Sequence, residues 1–267
     1  MNKRNWLNTA PTLFVQSEGQ SCEKFFANFF SQTRHFVLRG TGGCGNMKPE
    51  FYPGIQRLQD ALSGGPADSS GTTTHPKFAG FCLFGGTRMI LKDDPSQVVQ
   101  GITEAFPALK ERCPDSRVLG IVVKAGHLQT TAHGIVVSNS DDDPYATIIH
   151  PEQHSVLLLQ PNVDHKADWD AEWQRCLEIC EAHQANNWDA LLTVYNGGGV
   201  SERELLAWAE LGLTNPFYRV LLIRDSGGTA DKYANNEAFL AAHPNVHVAQ
   251  NDTESMRAKL LELGAIV

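Results

Sequence analysis

No stretch of this 267-residue chain strings together enough apolar residues to cross a bilayer. Residues 1–20 contain no continuous apolar segment of the kind a secretory leader needs, so a cytoplasmic protein without membrane contact is expected. Basic residues are also few. Lys and Arg number 22 against 30 Asp and Glu, for a formal net charge of −8 and a pI near 5.7. No basic stripe stands out, which argues against a nucleic-acid partner. Of the six cysteines only Cys176 and Cys180 lie close together, four apart beside Leu177 and Ile179 on a predicted helix. No second pair completes a zinc site, so they read as reduced core thiols. None of the ten histidines forms an H-x-H or H-E-x-x-H pattern, and no metal or cofactor is expected. G-x-x-x-x-G-K-[ST] and G-x-S-x-G are both missing, which excludes a P-loop ATPase and a nucleophile elbow.

What the chain does have is four apolar runs that each end in a glycine cluster. Phe36-Val37-Leu38-Arg39 enters Gly40-Thr41-Gly42-Gly43, and Phe81-Cys82-Leu83-Phe84 enters Gly85-Gly86-Thr87 before Arg88. Leu191-Leu192-Thr193-Val194-Tyr195 enters Asn196-Gly197-Gly198-Gly199, followed by Val200 and Ser201. Leu221-Leu222-Ile223-Arg224 enters Asp225-Ser226-Gly227-Gly228. Repeated strand-then-glycine units point to a parallel sheet with backbone-lined loops along one edge. Open α/β sheets bind ligands at that carboxyl edge, where glycines let backbone amides approach an anion. Arg39, Arg88, Arg203 and Arg224 lie in or beside the clusters. Arg88 and Arg224 are expected to contact an anionic group of the ligand.

Strand and helix patterns alternate along the chain, and 42% of its residues are hydrophobic, ample for a large core. The pattern predicts a doubly wound, mainly parallel α/β fold with a β-hairpin-type insertion over 126–147. Residues 35–267 read as one domain, and residues 1–34 as a helical extension packed on its sheet, with Phe25, Phe26, Phe29 and Phe30 at helical spacing over 22–32. The polar segment 64–74 reads as a loop. Helices are predicted over 50–62, 98–112, 169–185, 202–211, 230–242 and 253–263, the last with Thr253 as its N-cap.

The first cluster satisfies G-x-G-x-x-G formally. The second strand, however, ends Phe84-Gly85-Gly86-Thr87 without the carboxylate a nicotinamide site uses, so a dehydrogenase is not expected. The third cluster is the most specific. Its glycines join a strand to a helix start, and Ser201 can cap that helix or donate to a phosphate. Glu202 and Glu204, two apart on a helix, cannot both face inward.

The run from Asn196 to Glu204 resembles the P-G-G-x-G-T-x-x-E signature of the lysine-decarboxylase-like LOG proteins and the wider SLOG superfamily. Gly197, Gly198 and Glu204 match; Asn196, Val200 and Ser201 stand for the proline, the later glycine and the threonine. The segment 84–89 is similar to that superfamily's glycine-rich turn. The segment 224–231 resembles the small-residue turn and Ala-Asp of the SLOG domains of TRPM channels and their bacterial relatives. The resemblance implies a Rossmann-like fold that binds a nucleotide-derived small molecule, ADP-ribose-like in the sensor members. It also implies an N-glycoside hydrolase alternative, with Glu204 as the catalytic carboxylate; a scaffold that binds no small molecule is the third reading. In a sensor, self-association into a homo-oligomer or an effector partner would carry the output.

Overall fold

Strands buried on both faces must be covered by helices on both sides, and three adjacent runs of this chain are of that kind. The structure is a computed structural model that describes residues 12–15, 36–42, 52–63, 82–85, 88–91, 98–99, 102, 117–123, 127–131, 134–138, 145–149, 156–160, 170–183 and 189–266. Its strands are β1 Thr12–Val15, β2 Phe36–Thr41, β3 Cys82–Gly85, β4 Arg88–Leu91, β5 Val98–Val99, β6 Arg117–Val123, β7 His127–Thr131, β8 Gly134–Ser138, β9 Tyr145–Ile149, β10 Val156–Gln160, β11 Asp189–Val194, β12 Tyr218–Arg224 and β13 Val246–Gln250. Its helices are α1 Tyr52–Ser63, α2 Ala171–His183, α3 Gly199–Thr214, α4 Gly228–Ala234, α5 Glu237–Ala242 and α6 Thr253–Glu262.

Among the described residues eight strands form one sheet in the order β1-β10-β6-β3-β2-β11-β12-β13, every pairing parallel. From β2 the chain moves outward through β3, β6 and β10. It then crosses back to lay β11 on the other side of β2 and continues through β12 and β13. The order of the sheet therefore reverses between β2 and β11, and at such a reversal the flanking loops part to leave a crevice. Segment 1–34, read as a helical extension, contributes the strand β1 to the far edge of this sheet. The second sheet is antiparallel, in the order β5-β4-β9-β8-β7, so the expected hairpin-type insertion is a β7-β8-β9 meander that also pairs with β4.

Period-two alternation divides the core. Val37, Ala190, Leu192, Val194, Val220 and Leu222 face α2, α3 and α4, where Trp208 packs edge-on to Tyr218 at 5.4 Å. Phe36, Leu38, Leu191, Leu221 and Ile223 face α1 and α6, burying Leu58, Met256 and Leu260. Both thiols, Cys176 and Cys180, are free and buried in the first of these cores, as expected.

Several local expectations change. Val98 and Val99 are a strand, not the start of a helix, because they pair with Ile90 and Met89. The helix expected over 230–242 is two helices; Asn236 interrupts it and caps α5 by accepting from the Phe239 amide at 3.0 Å. Asp252, not Thr253, caps α6, since its carboxylate accepts from the Ser255 amide at 2.7 Å. The helix over 22–32 and the loop over 64–74 lie outside the described residues.

Gly212, inside α3, separates propensity from packing. Alanine would favour the helix by about 1 kcal/mol. A Cβ at Gly212, however, would overlap the Asn245 carboxamide and lie 2.6 Å from the Tyr218 carbonyl oxygen. That carbonyl is backbone and cannot swing away, so packing wins. Gly212→Ala is expected to destabilise the protein by about 1–3 kcal/mol in urea denaturation.

Candidate functional site

The crevice between β2 and β11 brings the first and third glycine clusters together and draws the fourth in beside them. β2 runs further than its apolar residues suggest. Gly40 and Thr41 belong to the strand and pair with Thr193 and Val194, so the turn begins at Gly42. Gly42 has φ +118°, and a Cβ there would overlap the Tyr195 carbonyl and come within 3.3 Å of the Gly197 amide nitrogen. Glycine here lets the end of β2 pack directly on the backbone that follows β11. Gly43, Gly86 and Thr87 lie outside the described residues. Gly85 ends β3, and Arg88 opens β4 of the second sheet, opposite Ile148.

After β11 the chain makes a left-handed turn at Asn196 (φ 57°) and Gly197 (φ 98°); after β12 it does the same at Asp225 (φ 62°). The two loops are tied to each other. The Ser226 hydroxyl accepts from the Asn196 amide at 2.8 Å and donates to the Ile223 carbonyl at 2.6 Å. The Thr229 and Ala230 amides donate to the carbonyls of Gly197 and Asn196 at 3.0 and 2.9 Å. The Asp231 carboxylate accepts from the Ser226 and Gly227 amides at 3.2 and 3.1 Å. Gly228 has φ +53°, and a Cβ on it would overlap the Gly197 carbonyl oxygen and Asn196 Oδ1. The backbone donors of Ser226, Gly227, Thr229 and Ala230 are therefore spent within the protein.

α3 is different. Gly198 occupies its N-cap with no side-chain cap, and the amides of Gly199, Val200 and Ser201 donate to no acceptor among the described residues. These are the orphan donors of a helix start, at the positive end of a 16-residue helix. Ser201 sits in the third position of that helix, so it does not cap. Its hydroxyl meets that of Thr41 at 3.3 Å. The start of α1 offers less. Pro53 has no N–H, and the Tyr195 hydroxyl lies where a side chain on Gly54 would begin.

The next three residues of α3 each face a different element. Glu202 accepts from Lys232 and, at 2.6 Å, from the Tyr233 hydroxyl; both hold its carboxyl below the usual range. Arg203 pairs with Asp170, Nε to both oxygens at 3.0 Å, while the Trp173 indole donates to the same carboxylate at 2.9 Å. Burial pushes the Asp170 carboxyl up, but the Arg203 and Trp173 hydrogen bonds outweigh it and bring it below its ordinary value. Glu204 points inward and is 0% exposed. Its Oε1 accepts from Arg39 Nε at 2.9 Å, and Arg39 Nη1 donates to Glu172 at 2.7 Å. Burial alone would lower Arg39, yet the two carboxylates hold the guanidinium firmly charged. Exposed pairs such as Arg203–Asp170 contribute little, whereas removing one partner of a buried pair costs about 3–5 kcal/mol. The nearby Cys176 thiol is pushed up by burial and so is unreactive.

Arg224, expected beside an anion, donates from Nη2 to the Ala234 carbonyl at 2.6 Å and so ties down the end of α4. The sequence reading missed Glu172, Asp170 and Asp231 as partners of the site. The signal for one existed: an arginine inside a buried strand, Phe36-Val37-Leu38-Arg39, demands a carboxylate. Among the described residues no group of His, Cys, Asp and Glu could hold a metal, and no helix is long and apolar enough to cross a membrane.

No known family model matches the chain, and no curated protein matches it.

Ser226 is the seam between the two loops. Ser226→Ala leaves the buried Asn196 amide without an acceptor and is expected to cost about 1–3 kcal/mol of stability in urea denaturation.

Proposed function

We propose that the chain binds a nucleotide-derived ligand of the ADP-ribose type at the crevice between β2 and β11, as a sensor or ligand-binding module. One observation carries the reading. At the point where the sheet order reverses, the first turn of α3 presents three amides with no acceptor among the described residues. An anionic group seated there gains hydrogen bonds and the positive end of the helix without any basic side chain. Gly42 and Gly197 let the turns after β2 and β11 pack closely beside these amides, since a Cβ on either would strike protein atoms. The resemblance of residues 196–204 to the SLOG signature supports the same choice of ligand class.

Binding is favoured over turnover. Hydrolysis of an N-glycosidic bond needs a carboxylate beside the sugar, to stabilise an oxocarbenium-like state or to orient water. Glu204, the matching glutamate, lies beneath α3 with one oxygen committed to Arg39 and no exposed surface.

The test is calorimetric titration with ADP-ribose, adenosine monophosphate and inorganic phosphate, with chromatography of the mixtures afterwards. ADP-ribose is expected to bind and to be recovered intact. Release of a free base or of ribose phosphate would replace the sensor reading with the hydrolase. At Gly199 a Cβ would meet nothing nearer than Arg203 Nη1 at 3.6 Å, so Gly199→Val should fold. It is expected to lower ADP-ribose affinity by on the order of tenfold, ~1.4 kcal/mol. Unchanged affinity in that variant would move the ligand away from α3.

A further inference from the structure

The start of α3 has no side-chain cap, so its height and direction above the sheet must be set by other contacts. Ser201 offers one hydroxyl contact to β2, and Glu202 and Arg203 make partly solvated pairs with Lys232 and Asp170. The contact of Glu204 is of another kind. Arg39 is 6% exposed and stands two residues before the end of β2, under the crevice. Its Nε donates to Glu204 in the first turns of α3, and its Nη1 to Glu172 in the first turn of α2. One planar guanidinium thereby joins the central strand to two helix starts through two directional bonds. A fork of this geometry fixes angle as well as distance, which the point charge of an ammonium does not.

The triad is costly for a contact that only stabilises. It buries the Glu204 carboxylate against a cation whose second partner, Glu172, is 29% exposed, and Glu204 Oε2 is buried with no partner among the described residues. Apolar side chains of similar volume commonly stabilise a core as well as a buried ion pair does. A buried orphan acceptor beneath an open helix start calls for a role in geometry.

We propose that Arg39 is a positioning residue: it aims the α3 amides into the crevice and so sets ligand affinity without touching the ligand. The consequence for affinity rests on the ligand-binding reading above; the consequence for α3 does not. Arg39→Lys keeps the charge and loses the fork. Two measurements are made on the full chain well below its melting temperature. One is hydrogen exchange of the ligand-free protein at the amides of 202–204, which close the first turn of α3, against those of 207–211. The other is ADP-ribose affinity by calorimetry. Exchange at 202–204 is expected to quicken, with 207–211 unchanged, and affinity is expected to fall on the order of tenfold. A lower melting temperature with affinity and first-turn exchange unchanged in the folded variant means a merely stabilising contact and overturns the proposal. So does tight binding that persists despite faster exchange. Should wild-type protein not bind ADP-ribose, the functional reading fails by itself. Exchange then decides: quickening confined to 202–204 upholds the positioning role, and no change overturns it. Should Arg39→Lys fail to fold, Glu172→Gln weakens one arm of the fork at a carboxylate that is 29% exposed. It is expected to quicken the same exchange and weaken binding about threefold, and no effect on either overturns the proposal.

Discussion

Two backbone carbonyls, those of Asn196 and Gly197, decide how the carboxyl edge of the sheet is divided. By accepting the Ala230 and Thr229 amides they close the start of α4 and lock the loop after β11 to the loop after β12. This arrangement requires left-handed backbone at Asn196, Gly197 and Gly228, which costs a non-glycine residue of order 1 kcal/mol and persists only where surrounding contacts hold it. Among the described residues no carbonyl reaches the first three amides of the neighbouring α3. Two adjacent helix starts, each after a glycine run, thus differ: one is spent within the protein, and the other finds no acceptor among the described residues.

Electrostatics at the crevice comes from dipoles more than from side-chain charge. The chain carries a net −8, and Asp231, Asp225 and Asp170 all lie along the same edge. Three arginines described along that edge are engaged: Arg39 with two carboxylates, Arg203 with Asp170, Arg224 with a helix carbonyl. Among the described residues, the donors left without an acceptor at this edge are the backbone amides at the start of α3.

The buried arginine links fold to site. β2 is the strand at which the sheet order reverses, and apolar residues surround Arg39 along it. An unpaired guanidinium there would be prohibitively costly, so α2 and α3 can dock only with their carboxylates over it. Packing, charge pairing and the direction of α3 are thereby one constraint. It leaves Glu204, the residue a family signature would offer as a catalyst, as part of the scaffold.

Much of this architecture was legible from the chain because it rests on local patterns. Alternating apolar runs, glycine clusters at their ends and the order of strands and helices determined an α/β fold with its loops at one edge. Short-range chemistry was legible only in part: the break at Asn236 and the cap at Asp252 follow from side chains competing for nearby amides, which periodicity does not register. The sequence by itself thus determined where glycine-lined loops gather. Tertiary structure decided how the loops are tied and which carboxylates hold Arg39, because Asn196 and Ser226 lie 30 residues apart and Arg39 and Glu204 lie 165 apart. Arg39 finds Glu204 and Glu172, and Asn196 finds Ser226, only once parallel strands lie side by side and bring distant loops within hydrogen-bond reach.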